Sequence, residues 1–456
     1  MKAIIDFFQF ISGLGVSVVM PFVIFFVGLF FKAGLGKSLR AGLTVGVGFI
    51  GLNLVINNLL GTTLAPAVKQ MVTRYGLHLS VIDVGWPSAA AIAMGSTVGL
   101  IIIPLGLLVN IIMLLTNTTQ TVDVDIWDYW HFAFTGALVA ILTRSIFLGI
   151  IIAVINMVII MVLGDITAPE VEKSLNLPGV SLPHGFTAAY APIAMVFNKL
   201  FDLIPGVRNI DINTKTLQKR FGVFGEPILI GTALGLIIGI VAGYNVTKVL
   251  TLAISLGAVL VLIPKMAALL MEGLLPVSDA ASDFVKNRFK NRGKIYIGLD
   301  SAVGVGHPVT LSIAFVLVPL VVFLAVILPG NKVMPFADLS VIPWMLVLIT
   351  PIVKENGFRE LIIGFICLTV GLWIATDLSP MITIAAKNVN FSMPNGAAAI
   401  SSICDGANPL TWILVRLNGL GYFGTIISGI IAFAMALWNR SRIKKEAKIL
   451  HNADAK

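Results

Sequence analysis

Charge is what this chain has least of. Of its 456 residues only 12% are Asp, Glu, Lys or Arg, whereas 57% are apolar and the mean hydropathy is +0.99. A soluble globular domain carries about a quarter charged residues and under half apolar ones. The polar surface needed to wet this chain all round is missing, which excludes an ordinary soluble enzyme, a disordered chain and a collagen. Cysteine is nearly absent too. Cys367 and Cys404 lie in apolar stretches without metal or redox spacing, so a disulfide scaffold is excluded and neither a metal nor a cofactor is expected. No phosphate-binding glycine loop, no HExxH and no paired-aspartate protease motif is present, which argues against a self-powered ATPase and a metalloprotease. A cleavable leader is not expected, because Lys2 is the sole basic residue before Phe7, Phe8 and Phe10 and no small-x-small site precedes the next apolar run. The alternation of a transmembrane β-barrel is absent as well.

What the chain does have is long continuous apolar runs. They cover Leu14–Phe31, Ala41–Leu60, Ser88–Leu115, Phe132–Gly164, Pro227–Gly243, Val246–Met271, Ser301–Pro329, Val341–Thr376 and Leu410–Leu437, with weaker segments after Ser181 and Ser392. A helix needs about 20 such residues to cross a bilayer. The class is therefore an all-α polytopic membrane protein. Pro104 is expected to kink its helix without ending it.

The two halves of the sequence echo each other. Pro21 matches Pro227, Ala33-Gly34 matches Ala242-Gly243, Pro66 matches Pro276, Trp130 matches Trp344 and Asp165 matches Asp377; SLPHG at 181–185 matches SMPNG at 392–396. The offsets stay between 206 and 214. Basic residues swap sides between the halves: Lys32, Lys37 and Arg40 have no basic partners near 243–247, whereas Lys286, Arg288, Lys290, Arg292 and Lys294 outnumber Lys69 and Arg74. Cytoplasmic loops carry the excess of Lys and Arg, so the repeats are read as inverted. The expected architecture has about eleven transmembrane helices in two inverted five-helix repeats plus a C-terminal helix. Residues 1–222 form the first repeat, 223–406 the second, and 407–456 the last helix and a basic tail with Arg440, Arg442, Lys444, Lys445 and Lys448. The N-terminus is placed outside and the C-terminus in the cytoplasm. The acidic loop with Asp123, Asp125 and Asp128 then falls inside, where acidic residues weigh little in the charge rule.

Inverted-repeat transporters bind substrate near the midplane, where equivalent helices are broken. Two equivalent breaks are expected as re-entrant hairpins, at about 165–186 and 377–397. Each carries two prolines at the same spacing and an S-x-P-x-G tip. His184 and Asn395 take matching tip positions, with Ser181 and Ser392 beside them. A second polar pair opens the long helices: Asp83 with Trp86, and Asp300 with His307. An ionisable residue at membrane depth is a functional candidate, and a neutral histidine can both donate to and accept from a hydroxyl. Asp83 can equally be a helix cap, and Trp86 an interfacial anchor or a sugar-stacking ring. Asn57 is read as interhelix glue or as facing a polyol. Glu226 is a helix-start carboxylate or a functional acid. Arg144 and the cluster Lys354, Glu355, Arg359 and Glu360 read as internally paired breaks in long apolar stretches. Asp405, in the stretch that closes the second hairpin region, is a further residue that can line the cavity.

The stretches IDVGWPSAAAIAMG (82–95), PGVSLPHGF (178–186), FGEPILIG (224–231), GLDSAVGVGHP (298–308) and CDGANPLTW (404–412) make the chain resemble, over nearly its full length, the membrane component, enzyme IIC, of the galactitol branch of the bacterial phosphoenolpyruvate-dependent sugar phosphotransferase system, related to the ascorbate carriers. That resemblance implies an eleven-helix homodimer in the inner membrane. It also implies group translocation: a polyol such as galactitol enters from outside, is carried inward by alternating access, and is phosphorylated by a cytosolic IIB protein bearing a phosphocysteine, itself charged by IIA. Under that reading the chain is a permease subunit and the partner carries the phosphoryl group. His184 and Asp300 become the candidate proton acceptors, and Asn395, Asp83 and His307 hydroxyl ligands. The basic stretches 206–220 and 286–294 would face IIB. The rival reading is a proton- or sodium-coupled transporter of a polyol or small polar solute, with Asp83 or Asp300 holding the ion.

Overall fold

The computed structural model describes residues 16–55, 59, 62–63, 65–74, 80–123, 125, 128–210, 227–288, 294–335, 337–389, 391 and 399–454. The described chain is mostly helical. Within it four helices are long and apolar enough to cross a membrane: Ile146–Ser174, Pro308–Ile327, Gly357–Asn388 and Tyr422–Lys448. Shorter apolar helices such as Tyr129–Thr143 and Val246–Val259 accompany them. Large apolar side chains face outward in stripes one helical turn apart. Phe22, Phe26 and Phe30 are 60%, 61% and 68% exposed, and Leu35, Leu39, Leu43 and Val47 continue the pattern on the next helix. Water would penalise such stripes by about 25 cal/mol per Å², whereas lipid does not. The protein is a multi-pass membrane protein.

Helices Val16–Phe30, Leu35–Asn53, Pro227–Val241 and Val246–Arg288 pack on one another as a bundle. The remaining helices surround six short strands among the described residues: β1 (Val81–Asp83), β2 (Thr121–Asp123), β3 (Val180–Ser181), β4 (Tyr296–Gly298), β5 (Val333–Met334) and β6 (Ala399–Ser401). The strands form two parallel three-stranded sheets, ordered β5-β1-β6 and β2-β4-β3. In each sheet the middle strand comes from one half of the chain and both neighbours from the other. Val81 registers with Val333 and Ala399; Ile297 registers with Val122 and Val180.

Aspartates clamp the strand ends. Asp338 accepts from Trp86 N at 2.5 Å, Ser402 Oγ at 2.5 Å and Cys404 N at 3.2 Å. Asp83 accepts in return from Asp338 N at 2.8 Å and from Gly85 N at 3.1 Å. In the other sheet Asp125 accepts from Asp300 N at 3.2 Å. Each half thus ties down the helix opening of the other.

Several expected elements are divided or displaced. The run Ser88–Leu115 breaks at Ser96: helices Trp86–Gly95 and Thr97–Leu115 meet there, and Ser96 Oγ caps Gly99 N at 3.1 Å, while the second helix continues through Pro104 as expected. The run Leu410–Leu437 divides at Gly419–Gly421, with Gly421 at φ 62°, between Pro409–Asn418 and Tyr422–Asp454. Arg144 and Lys354 both take left-handed backbone, φ 54° and 55°, at the breaks read from their charge. Arg359 does not pair within its own cluster; it reaches Asp202 at 2.8 Å and Asn198 Oδ1 at 2.5 Å.

The hairpin starts also shift. Helices run through Asp165 and Pro169 to Ser174, and through Asp377 and Pro380 to Asn388. Proline frees the carbonyl four residues before it, and here side chains take both freed groups. Arg442 Nη2 donates to Asp165 O at 3.2 Å, and Ser379 Oγ to Thr376 O at 2.8 Å.

Asp338→Ala leaves Trp86 N and Ser402 Oγ without this acceptor, while Cys404 N keeps Ser402 Oγ, and should cost about 2–3 kcal/mol. Asp377→Ala breaks an ion pair with Arg416 whose carboxylate is 42% exposed and should cost under about 1 kcal/mol. Thermal unfolding of the two variants in detergent checks the difference; equal midpoints would contradict the clamp.

Candidate functional site

The ends of four strands converge on one buried polar cluster. Three residues after β3 comes His184; β4 leads to Asp300, β2 to Asp125 and Asp128, and β6 to Asp405. His131 joins them from the first turn of the helix Tyr129–Thr143. His184 Nε2 lies 3.2 Å from His131 Nε2, 3.5 Å from Asp300 Oδ1 and 3.7 Å from Asp128 Oδ1. His184 is 5% exposed, His131 1% and Asp405 0%; Asp300, its side chain 14% exposed, is the most open carboxylate of the set.

Local sequence explains the approach of the two imidazoles. Gly185 follows His184, and a Cβ on it would stand 2.4 Å from His131 Cβ. Only a residue without a side chain lets the two segments meet with ring centroids 4.3 Å apart. Thr187 N donates to His184 Nδ1 at 3.2 Å, while Thr187 Oγ1 donates to Trp344 O at 2.8 Å. His131 Nδ1 stands 2.5 Å from Asp405 Oδ2. Asn408 holds the far side: its Nδ2 donates to Asp405 Oδ1 at 3.1 Å and to Gly185 O at 3.0 Å, and its Oδ1 caps the helix Pro409–Asn418 by accepting from Leu410 N at 2.9 Å.

The cluster is acidic and under-satisfied. Asp125, Asp128 and Asp300 place oxygens within 4.8 Å of one another. Among the described residues both oxygens of Asp123 and of Asp128, with Ser301 Oγ and Tyr129 Oη, are buried without a hydrogen-bond partner. Buried acceptors left empty cost about 1–3 kcal/mol each, so the site is built to receive hydrogen-bond donors. The three carboxylates could also serve a hard cation, which takes oxygen ligands. The set Asp128, His131 and His184 lies within the same 4.8 Å but suits a metal poorly. The Thr187 N–H demands a lone pair on His184 Nδ1, which puts the ring hydrogen on Nε2 and leaves that atom no lone pair for a metal.

Of the residues expected from sequence, His184 and Asp300 come together here. Asp83 and Trp86 do not; they belong to the clamp on the β5-β1-β6 sheet. Ser181 lies on β3, its hydroxyl 2.8 Å from Thr121 Oγ1, which donates to Asp165 at 2.7 Å. His307 faces Glu355, 3.9 Å away. Asn57, Glu226, Ser392 and Asn395 lie outside the described residues. Sequence reasoning missed His131 and Asp128, and named Asp405 only as a residue that can line the cavity. The signal was there: three aspartates and one of only five histidines within DVDIWDYWH at 123–131, beside the repeat marker Trp130.

Comparisons with known proteins bear on the whole chain. The family described as PTS system sugar-specific permease component, EIIC-GAT, matches residues 9–396. The putative permease IIC component of Escherichia coli K12 is 38% identical over 435 residues, 95% of this chain and 99% of that protein. The PTS system galactitol-specific EIIC component of the same strain is 37% identical over 447 residues, 97% of this chain and 98% of that protein.

Asp128→Asn removes one of three crowded carboxylates and no protein hydrogen bond, so its thermal midpoint should equal or exceed that of the wild type. Asp165 accepts from Gln120 N, Thr121 Oγ1 and Asn439 Nδ2, and Asp165→Asn should cost about 2 kcal/mol. A marked loss of stability in Asp128→Asn would show that its carboxylate has a structural partner.

Proposed function

The chain belongs to the EIIC-GAT family of PTS sugar-specific permease components, and from that premise we propose that it carries galactitol, or a closely similar polyol, across the bacterial inner membrane for phosphorylation by the phosphocysteine of a cytosolic IIB partner. The observation that carries this reading is the buried cluster of unpaired carboxylate oxygens beside His184. A hexitol is uncharged and is covered in hydroxyls, each of which donates one hydrogen bond. It can satisfy the oxygens of Asp123 and Asp128 without adding charge. A hydroxyl lying between His184 Nε2 and Asp300 Oδ1 would meet both candidate groups for the transfer step, which needs a positioned nucleophile and a group to take its proton.

The same charges favour release. Phosphorylation adds about 1.5 to 2 negative charges. Placed beside the carboxylates of Asp128 and Asp300, the product is repelled where the neutral substrate was held. Net transport inward follows from chemistry at the site.

We further propose the inverted-repeat architecture with residues 1–222 and 223–406 as halves, about eleven spans, two re-entrant segments, a homodimer, and a cytoplasmic C-terminus. The exchange of strands between halves, with a middle strand in each sheet donated by the opposite half, supports the two-fold part of this reading. In this arrangement Asn395 and Ser392 would complete the second tip, and the basic stretches 206–220 and 286–294 would face the partner and steer its approach.

Uptake of labelled galactitol into proteoliposomes, with phosphorylated IIB enclosed and no ion gradient, tests the proposal. Galactitol phosphate should form only with the partner, and His184→Ala and Asp300→Asn should each lower turnover about 100-fold or more. Concentrative uptake of unmodified polyol that depends on a proton or sodium gradient would overturn group translocation.

A further inference from the structure

Asp405 and His131 have no part in the polyol reading, yet they are joined to its central residue. Both are almost wholly buried, and His131 meets the His184 ring at 3.2 Å, a contact through which the pair can act on substrate. Neighbours decide where the hydrogens sit. A carboxylate accepts, so His131 Nδ1–H donates to Asp405 Oδ2 across 2.5 Å, and the lone pair of a neutral His131 falls on Nε2. The other ring is opposite: Thr187 N–H aims at His184 Nδ1, so its hydrogen is on Nε2. The two Nε2 atoms, 3.2 Å apart, are one donor facing one acceptor.

We infer that His131, oriented by Asp405, is a positioning residue that holds His184 in the Nε2–H form, so that His184 meets the substrate oxygen as a hydrogen-bond donor and Asp300 takes the proton. The choice of substrate rests on the polyol reading above; the hydrogen placement does not. In the transfer step the hydroxyl O–H bond breaks and its proton passes to the Asp300 carboxylate. The oxygen bonds to the phosphorus of the partner's phosphocysteine, and the S–P bond breaks with its electron pair leaving on sulfur as thiolate. His184 Nε2–H turns from His131 to the oxygen as negative charge gathers there. With Nδ1 occupied by Thr187 N–H, His184 has no nitrogen free to act as the base.

Nitrogen-15 NMR of the full-length protein in lipid, labelled at its five histidines and assigned with single His→Gln variants, reads the tautomers directly. We expect neutral Nδ1–H for His131 and neutral Nε2–H for His184, with Asp405→Asn altering the His131 pattern. An Nδ1–H tautomer at His184, or a doubly protonated His131, overturns the inference. None of these signals needs a substrate, so the result stands apart from whether galactitol is the cargo. In the coupled assay His131→Phe should lower kcat about 100-fold with KM within about threefold, and His131→Gln, which keeps an acceptor for His184 and a donor for Asp405, should recover most of the rate. Wild-type turnover in His131→Phe, or failure of His131→Gln to rescue, counts against it.

Discussion

Non-helical backbone inside a membrane protein must find hydrogen-bond partners within the protein, because lipid offers none. The chain meets that constraint by strand exchange. β1 and β4 are only three residues long, and neither could persist alone. Each is held on both sides by strands from the other half, and the clamps at Asp338 and Asp125 secure the helix openings that follow. Functional side chains sit just beyond these strand ends, so their positions are set by backbone pairing between distant parts of the sequence.

Charge is distributed by the same economy. The arginines that reach into the protein are used on backbone and structural carboxylates: Arg359 on Asp202 and Asn198, and Arg442 on the carbonyl that Pro169 frees. Around Asp128 several carboxylates crowd two histidines instead. Burying like charges together is expensive, and stability alone would not select it. In the proposed function their orientation toward two histidines turns that cost into an affinity for neutral hydroxyl donors and a repulsion for an anionic product. A histidine pair ordered by Asp405 adds direction, since the donor and acceptor atoms of each ring are assigned by what the opposite ring nitrogen touches.

Much of this was legible beforehand. Low charge and long apolar runs identified a membrane protein, and the family resemblance, carried by stretches such as GLDSAVGVGHP, agrees with the EIIC-GAT match and the galactitol-specific relative. His184 and Asp300 were recognisable because turn residues and broken helix starts flagged them. Helix ends were read less well. Pro169 and Pro380 look like stops in a linear reading, but the structure supplies Arg442 and Ser379 to the carbonyls they free, and the helices continue. His131 was passed over because its partner, Asp405, is 274 residues away, and Asp128 was read as a loop charge because its burial depends on tertiary packing.

The sequence by itself determined the solvent this protein lives in, its family and two of the residues at the candidate site, because composition, hydropathy and local turn chemistry are properties of neighbouring residues. Tertiary structure alone decided which strands share a sheet, that Asp83 belongs to a clamp while Asp300 belongs to the polar cluster, and that His131, Asp128 and Asp405 surround His184. Those outcomes depend on contacts between segments up to 318 residues apart, the separation of Val81 from Ala399. A hydrogen bond or a buried charge acquires its meaning only when the chain has brought both partners to the same place.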